Sequence, residues 1–157
     1  KESLKYDTGF MEGDSFYTER IDMKFKWTDD LLLKHLTIDN QHKELFRRLN
    51  NLYDAIQEGQ EEKEINETIA FLNEYVTTHF IAEETLMQRY DYPDYVTHKG
   101  IHVAFMSDMD KLLASYANSP DPYQSILDIY NMCVRWLQDH IQETDKKLGQ
   151  FLAKQSR

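Results

Sequence analysis

Four segments of the 157-residue chain carry apolar residues at the alternating three- and four-residue spacing of a heptad repeat. In the first segment this spacing runs from Ile38 to Ile56, and one gap in it is filled by His42. Residues spaced in this way share one stripe of an α-helix, so each segment predicts a helix that buries one face. The predicted inward residues, segment by segment, are Ile38, Leu45, Leu49, Leu52 and Ile56; Ile65, Ile69, Leu72, Val76, Leu86 and Tyr90; Tyr95, Phe105, Met109, Leu112 and Tyr116; and Ile126, Tyr130, Cys133 and Leu137.

Short links separate the four segments, at residues 59–60, 91–93 and 118–122. Short links force neighbouring helices to run antiparallel. The sequence therefore predicts an all-α fold, an up-down-up-down antiparallel four-helix bundle with an N-terminal arm. We expect residues 1–36 to form the arm and the loop that leads into the bundle, with one or two aromatic side chains packed on the body, and residues 37–157 to form the bundle itself.

Charge and cysteine content narrow the choice of partners. Acidic residues number 28 against 18 basic ones, a net charge of −10, which argues against binding to nucleic-acid phosphates. No apolar run approaches the roughly 20 residues that a membrane-spanning helix needs, so we expect no membrane contact. The single cysteine, Cys133, cannot form a disulfide within the chain, which fits a reducing, cytoplasmic location. We interpret Cys133 as core packing.

Histidines occupy the predicted core more often than chance allows. The chain has six histidines, and five of them stand where the repeat calls for an apolar residue. Two positions in seven belong to the inward stripe, so the chance of this outcome is roughly one in a hundred. A single core histidine is usually a hydrogen-bonded structural residue, but five together with a buried Glu would cost several kcal/mol if they were unpaired.

The polar core positions are predicted to lie at one level of the bundle. With helices that alternate in direction and rise 1.5 Å per residue, these positions fall in one layer roughly 6–18 Å from one end. Four helices then direct nitrogen and oxygen atoms into one volume, which predicts a metal site. Its candidate ligands are His42, His79, Glu83, His98, His102, His140 and Asp145.

The spacing and chemistry of these residues suit two bridged metal ions. His79 with Glu83, and His98 with His102, are separated by four residues and share a helix face. His140 and Asp145 are five residues apart, so either they flank the site from opposite sides or a π-bulge brings them together. Five imidazoles with two carboxylates exceed the needs of one ion, and the mixture suits iron better than manganese or zinc.

These residues and their neighbours resemble the hemerythrin family in its bacterial form. The resemblance covers residues 27–152, and its joint pattern is highly specific although no single piece is. The matching stretches are residues 38–46 (IDNQHKELF); His79-Phe80 with Glu83, Glu84 and Met87; Tyr92-Pro93 with His98 and His102; Trp136-Leu137 with His140-Ile141; Asp145-Lys146 with Leu148-Gly149; and the opening Trp27.

Carried over by position, the resemblance implies a non-haem di-iron centre. One iron would be held by His98, His102 and His140, and the other by His42 and His79. The bridges between the irons would be Glu83, Asp145 and an oxo or hydroxo group. By the same mapping, the apolar lining of an O₂ pocket would be Leu137, Leu45 and Phe80.

The sequence departs from the family pattern near its start. Where the family has a glycine seven residues after the opening Trp, this chain has Lys34, so the loop before the first helix could follow a different path. His35 lies seven residues before His42 but precedes the predicted helix, and we interpret it as a surface or loop histidine. Residues 1–26 precede the usual start of the family and have no family role.

The resemblance implies reversible O₂ binding for sensing, storage or transport, in a binding protein and not an enzyme. The alternative is a di-iron enzyme acting on O₂, peroxide or nitric oxide, but the Glu-x-x-His motif of ferritin-like oxidases does not occur in the sequence. A third hypothesis is a structural metal that only stabilises the helix bundle. In bacteria the family also occurs attached to signalling proteins, and the start at Lys1 is compatible with such a domain outside this sequence.

Overall fold

The computed structural model describes residues 24–60 and 62–155, and the helices within them follow the predicted order. The helices are α1 (Leu36–Glu58), α2 (Glu62–Arg89), α3 (Tyr95–Ala117), α4 (Pro122–Asp139) and α5 (Lys146–Gln155). A π-helical turn, His140–Asp145, joins α4 to α5, so these three pieces form the fourth helix of the bundle. No helix in these two described ranges is long and apolar enough to cross a membrane.

Local sequence explains where the helices start and stop. After α1, Gly59 adopts a φ of 64° and its N–H donates to the carbonyl of Ile56, while the N–H of Gln60 donates to Ala55. This hydrogen-bond pair is the Schellman motif, which favours glycine because it requires a left-handed residue. At the start of α4, the Asp121 side chain accepts the N–H of Gln124 at 3.1 Å.

The predicted stripes face one another in the bundle. Helix α1 packs against α2 and α4, and α3 packs against the same two helices, which confirms the four-helix bundle. The stripe prediction is wrong at Tyr90, which is 38% exposed because α2 ends one residue earlier, at Arg89.

Within the described residues, the core contains two apolar clusters, and apolar side chains lie on both sides of the polar layer. The larger cluster fills the long part of the bundle with Leu52, Ile69 and Ile129, and it also includes Ile38, one turn before His42 and beyond the polar layer. The smaller cluster consists of Met87, Tyr92, Leu148 and Leu152 and closes the other end. The polar residues therefore lie between two dry regions that hold the helices together by apolar burial.

Aromatic residues before α1 pack onto the bundle. The Phe25 ring stacks on Phe46 with a centroid distance of 3.8 Å, and Trp27 meets the same ring edge-on at 5.8 Å. The Asn50 side chain bonds both the N–H and the carbonyl of Phe25 at 3.0 Å. The rest of the predicted arm, residues 1–23, lies outside the described residues.

The loop before α1 is fixed at Leu33 and Lys34. The N–H of Leu33 donates to Asp39 Oδ1 at 2.7 Å, and a Cβ added to Gly149 would lie 2.9 Å from Leu33 Cβ. Glycine at 149 therefore allows the loop to approach α5 closely. Lys34 adopts a φ of 63°, the left-handed backbone that favours glycine, so a lysine stands where glycine would be the unstrained residue.

Candidate metal centre

The structure brings all seven predicted residues together in the bundle core. Their side chains offer nitrogen and oxygen atoms in two overlapping clusters, within each of which the atoms lie within 4.8 Å of one another. The two clusters share two carboxylates, Glu83 and Asp145, both completely buried. We refer to His98, His102 and His140 as the three-histidine group and to His42 and His79 as the two-histidine group.

Helical geometry aims these side chains at one another. In α2, His79 and Glu83 lie one turn apart, and both are completely buried. In α3, His98 and His102 have the same spacing, and their ring centroids are 4.7 Å apart. Four-residue spacing puts both members of a pair on the same helix face, so each of these helices contributes two donors to the site.

The π-helical turn decides between the two placements left open for His140 and Asp145. In a π-helix the backbone bonds join residues five apart, and the N–H of Lys146 donates to Ile141 in this way. His140 and Asp145 therefore share a face, and His140 Nε2 lies 2.8 Å from Asp145 Oδ1. The π-bulge brings the two residues together, and the flanking arrangement is wrong.

The three-histidine group converges through its Nε2 atoms. His140 Nε2 lies 3.2 Å from that of His98 and 3.1 Å from that of His102. Glu83 Oε2 is 3.4 Å from His98 Nε2 and 3.3 Å from His102 Nε2. Separations near 3 Å match neighbouring ligands around a metal whose bonds to nitrogen are about 2.1 Å long.

The two-histidine group uses the other oxygens of the same carboxylates. The Nε2 atoms of His42 and His79 are 3.2 Å apart. Asp145 Oδ2 lies 3.1 Å from His42, and Glu83 Oε1 lies 3.7 Å from His79. Each buried carboxylate thus presents one oxygen to each histidine group, which is the arrangement that bridging between two ions requires.

The buried carboxylates need a positive partner. Glu83 and Asp145 are 0% exposed, and none of their four oxygens makes a hydrogen bond within the described structure. Leaving ionised groups in this condition is costly. Protonated imidazoles could not all serve as partners, because Nε2 atoms 3.1–3.2 Å apart would point their protons at one another. The donor set therefore fits metal ions.

The electrostatics differ between the two groups. Burial lowers the pKa of His79 to about 4. Burial also opposes charge on His98, but contacts with Asp145 and Glu83 outweigh it and raise the pKa to about 9. For Glu83, burial disfavours the carboxylate, but the surrounding imidazoles, His79 first, hold its pKa well below its usual value. Both carboxylates are thus anionic at neutral pH, since the pKa of Asp145 is lowered in the same way.

Two residues beside the site were part of the matching stretches but received no predicted role. Glu84 Oε1 lies 3.1 Å from His102 Nδ1, and Gln41 Oε1 lies 3.2 Å from His79 Nδ1. Each residue stands next to a ligand position in the sequence and reaches a neighbouring helix. Positions that flank a heptad stripe face the adjacent helix, so their place in the repeat could have identified them.

The predicted pocket residues line one small cavity next to the site. Leu45, Phe80 and Leu137 lie in the wall of an apolar cavity of about 10 Å³, about the space that one water molecule needs. Phe80 also stacks on His102, with centroids 3.8 Å apart and the rings nearly parallel. Trp136, in the same wall, stacks on His140 at 4.1 Å.

His35 and Cys133 lie outside both ligand clusters found in the described ranges. His35 precedes the first residue of α1. Cys133 is buried in the larger apolar cluster, and burial raises the pKa of its thiol to about 12. Its interpretation as core packing is confirmed.

Fold and site together define a four-helix-bundle protein with a histidine-rich centre able to hold metal ions. Comparison with known families gives a match to the hemerythrin HHE cation binding domain over residues 35–152. The chain belongs to the hemerythrin family.

Individual relatives agree with this assignment. A bacteriohemerythrin of Pseudomonas aeruginosa is 35% identical over 119 residues, which are 76% of this chain and 75% of the relative. A bacteriohemerythrin of Methylococcus capsulatus is 34% identical over 118 residues, 73% of this chain and 86% of the relative. A myohemerythrin of Theromyzon tessulatum is 28% identical over 123 residues, 78% of this chain and 89% of the relative.

Proposed function

We propose that this protein binds O₂ reversibly at a carboxylate-bridged di-iron centre. The three-histidine group would hold one iron and the two-histidine group the other, with Glu83 and Asp145 bridging them. The observation that carries the proposal is that one oxygen of each buried carboxylate faces each group. When iron is bound, the centre supplies the redox chemistry by which O₂ is taken up and released.

The unequal number of donors supports binding of an external ligand. The three-histidine group with the two carboxylates offers five protein donors, whereas the two-histidine group with the same carboxylates offers four. The side with fewer donors leaves more of its coordination sphere to a small molecule, which distinguishes this centre from a closed structural metal site.

The chain's own residues keep the neighbouring cavity dry and free of protons. Its wall includes Leu45, Phe80 and Leu137, and among the described residues that line it only Cys133 is titratable. Because the pKa of that thiol is about 12, it stays neutral and donates no proton at physiological pH. A wall of this kind slows the entry of water and protons, and with it the irreversible oxidation of the metal centre.

The test is a visible absorption titration of the anaerobic, iron(II)-loaded protein with O₂, followed by removal of O₂. The proposal expects two irons per chain and a charge-transfer band that appears with O₂ and disappears when O₂ is removed. The metal-free protein is the control and should show no band. Steady consumption of O₂ in the presence of a reductant would contradict the proposal and favour an enzyme.

We propose that the bundle domain comprises residues 37–157, supported by the start of α1 at Leu36. A cytoplasmic location is supported by the single thiol, Cys133, which is free and buried. The O₂ chemistry would serve sensing, storage or transport, and in the first case an attached signalling domain would receive the output.

A further inference from the structure

Two of the five imidazoles at the site have a hydrogen-bond acceptor at Nδ1, and the two acceptors differ in charge. The acceptor at His102 is the carboxylate of Glu84, and the acceptor at His79 is the side-chain amide oxygen of Gln41. We propose that Glu84 and Gln41 are positioning residues that fix the two rings with Nε2 free for metal, and that the charge of Glu84 makes the three-histidine group hold its metal more tightly than the two-histidine group does. This inference rests on the proposed di-iron site.

The carboxylate of Glu84 determines which nitrogen of His102 carries the proton. An ionised carboxylate only accepts hydrogen bonds, so Nδ1 of His102 must be the protonated nitrogen. The lone pair of Nε2 is then left pointing toward Glu83 and His140, 3.3 Å and 3.1 Å away. A hydrogen bond of this kind fixes both the tautomer and the ring orientation of a ligand histidine.

A surface network holds Glu84 in place. Lys99, one turn before His102 on α3, contacts the second carboxylate oxygen of Glu84 at 3.1 Å. Lys99 also donates to the Tyr95 hydroxyl at 3.4 Å, and Gln88 donates to the same hydroxyl at 2.8 Å. The Glu84 side chain is only 20% exposed, so its position is set by protein contacts from two helices.

The two acceptors should affect their histidines unequally. A carboxylate acceptor makes the imidazole a more basic ligand than a neutral amide does, because the anion stabilises positive charge on the ring. The other three site histidines have no hydrogen-bond partner for Nδ1 within residues 24–60 and 62–155. Glu84 therefore strengthens the three-histidine group alone, and no carboxylate of the described residues does the same for the two-histidine group.

The experiment follows iron release from the iron(II)-loaded protein to an excess of a coloured ferrous chelator under anaerobic conditions. In the unmodified protein, we expect one iron to leave in a fast phase and the other in a slow phase. Glu84→Gln keeps the size and an acceptor oxygen but removes the charge, and should speed the slow phase about tenfold while leaving the fast phase unchanged. Glu84→Ala should speed the slow phase further.

The reciprocal substitution distinguishes positioning from a merely structural role. Gln41→Glu places a carboxylate behind His79 and should slow the fast phase severalfold, a gain that loss of packing could not produce. The matched control is Glu74→Gln, the same change at an exposed residue of α2, which should leave both phases as they are.

Each result supports or overturns the inference. The inference is supported if Glu84→Gln speeds only the slow phase of iron release and Gln41→Glu slows only the fast phase. Unchanged phases, or equal changes in both phases, in a variant that retains two irons overturn it while leaving the di-iron proposal intact. An unmodified protein that holds fewer than two irons would contradict the proposed function itself.

Discussion

The bundle contains a ligand layer and an apolar layer built on the same helical repeat. The ligand layer holds the seven site residues, and the apolar layer, two to three turns further along each helix, holds Leu52, Ile69, Met109 and Ile129. Both layers are almost fully buried, with side chains at most 4% exposed. They differ in chemistry, since the ligand layer places unpaired carboxylate oxygens and ring nitrogens in the core, whereas the apolar layer presents none.

Because of this difference in chemistry, the ligand layer determines metal binding and the apolar layer determines the stability of the fold. Each unpaired buried polar group costs about 1–3 kcal/mol, so without metal the ligand layer opposes folding. Apolar burial on both sides of it supplies the compensating stability. Substitutions in the ligand layer should therefore change metal content first, and substitutions in the apolar layer should change the free energy of unfolding first.

The largest effect is expected from Glu83→Ala in the ligand layer. Both histidine groups lose an oxygen donor at once, so iron content should fall from two ions per chain to one or none. Iron is measured colorimetrically in the purified protein. Glu74→Ala, at an exposed position of the same helix, is the control and should keep both ions. Full retention of two irons in Glu83→Ala would remove Glu83 from the ligand set, and His79→Ala offers the same test for the two-histidine group.

Leu52→Ala makes the corresponding change in the apolar layer. Leu52 is 0% exposed, so its truncation should leave a cavity and lower the free energy of unfolding by about 2–5 kcal/mol. Chemical denaturation followed by circular dichroism measures the loss, while iron content should stay at two per chain. Leu36→Ala, at a residue that is 78% exposed, should change stability by less than about 0.5 kcal/mol. Loss of iron from the folded Leu52→Ala protein would contradict the prediction that the apolar layer affects stability without affecting metal binding.

Leu137→Ala tests the boundary between the layers. Leu137 lies three residues before His140 and in the wall of the cavity, so its truncation should admit water and speed autoxidation severalfold without loss of iron. The decay of the O₂-dependent absorption band gives the rate. Leu52→Ala is the matched control, because it truncates a leucine away from the cavity wall. An unchanged autoxidation rate with iron retained would exclude Leu137 from the pocket.

The smallest effect is expected from Cys133→Ala. A thiol is a potential metal ligand, but Cys133 lies within the larger apolar cluster, so iron content should not change. The free energy of unfolding should fall by about 1 kcal/mol because of the small space left behind. In the unmodified protein, a thiol reagent at pH 8 should react only after denaturation, since burial keeps the thiol protonated. Rapid reaction in the folded state would contradict this placement.

Much of the fold and of the site could be predicted because helical periodicity is local. The repeat alone identifies four helices, and the gaps in it identify the polar core positions. The failure at Tyr90 has an equally local cause, because the helix ends before that residue and the stripe ends with it. At Lys34 the residue type left the path of the loop open, and the structure shows a left-handed backbone there.

The sequence by itself determined the number of helices, their buried faces and the seven residues that meet at one level. Tertiary structure decided that a π-helical turn aligns His140 with Asp145, which oxygen of each carboxylate faces which histidine group, and that Glu84 and Gln41 stand behind His102 and His79. The helical repeat determines the direction in which each side chain leaves its own helix axis. The contacts above either join different helices or depend on the one extra residue in the π-helical turn. Their distances are set by how the helices pack, which no single segment encodes.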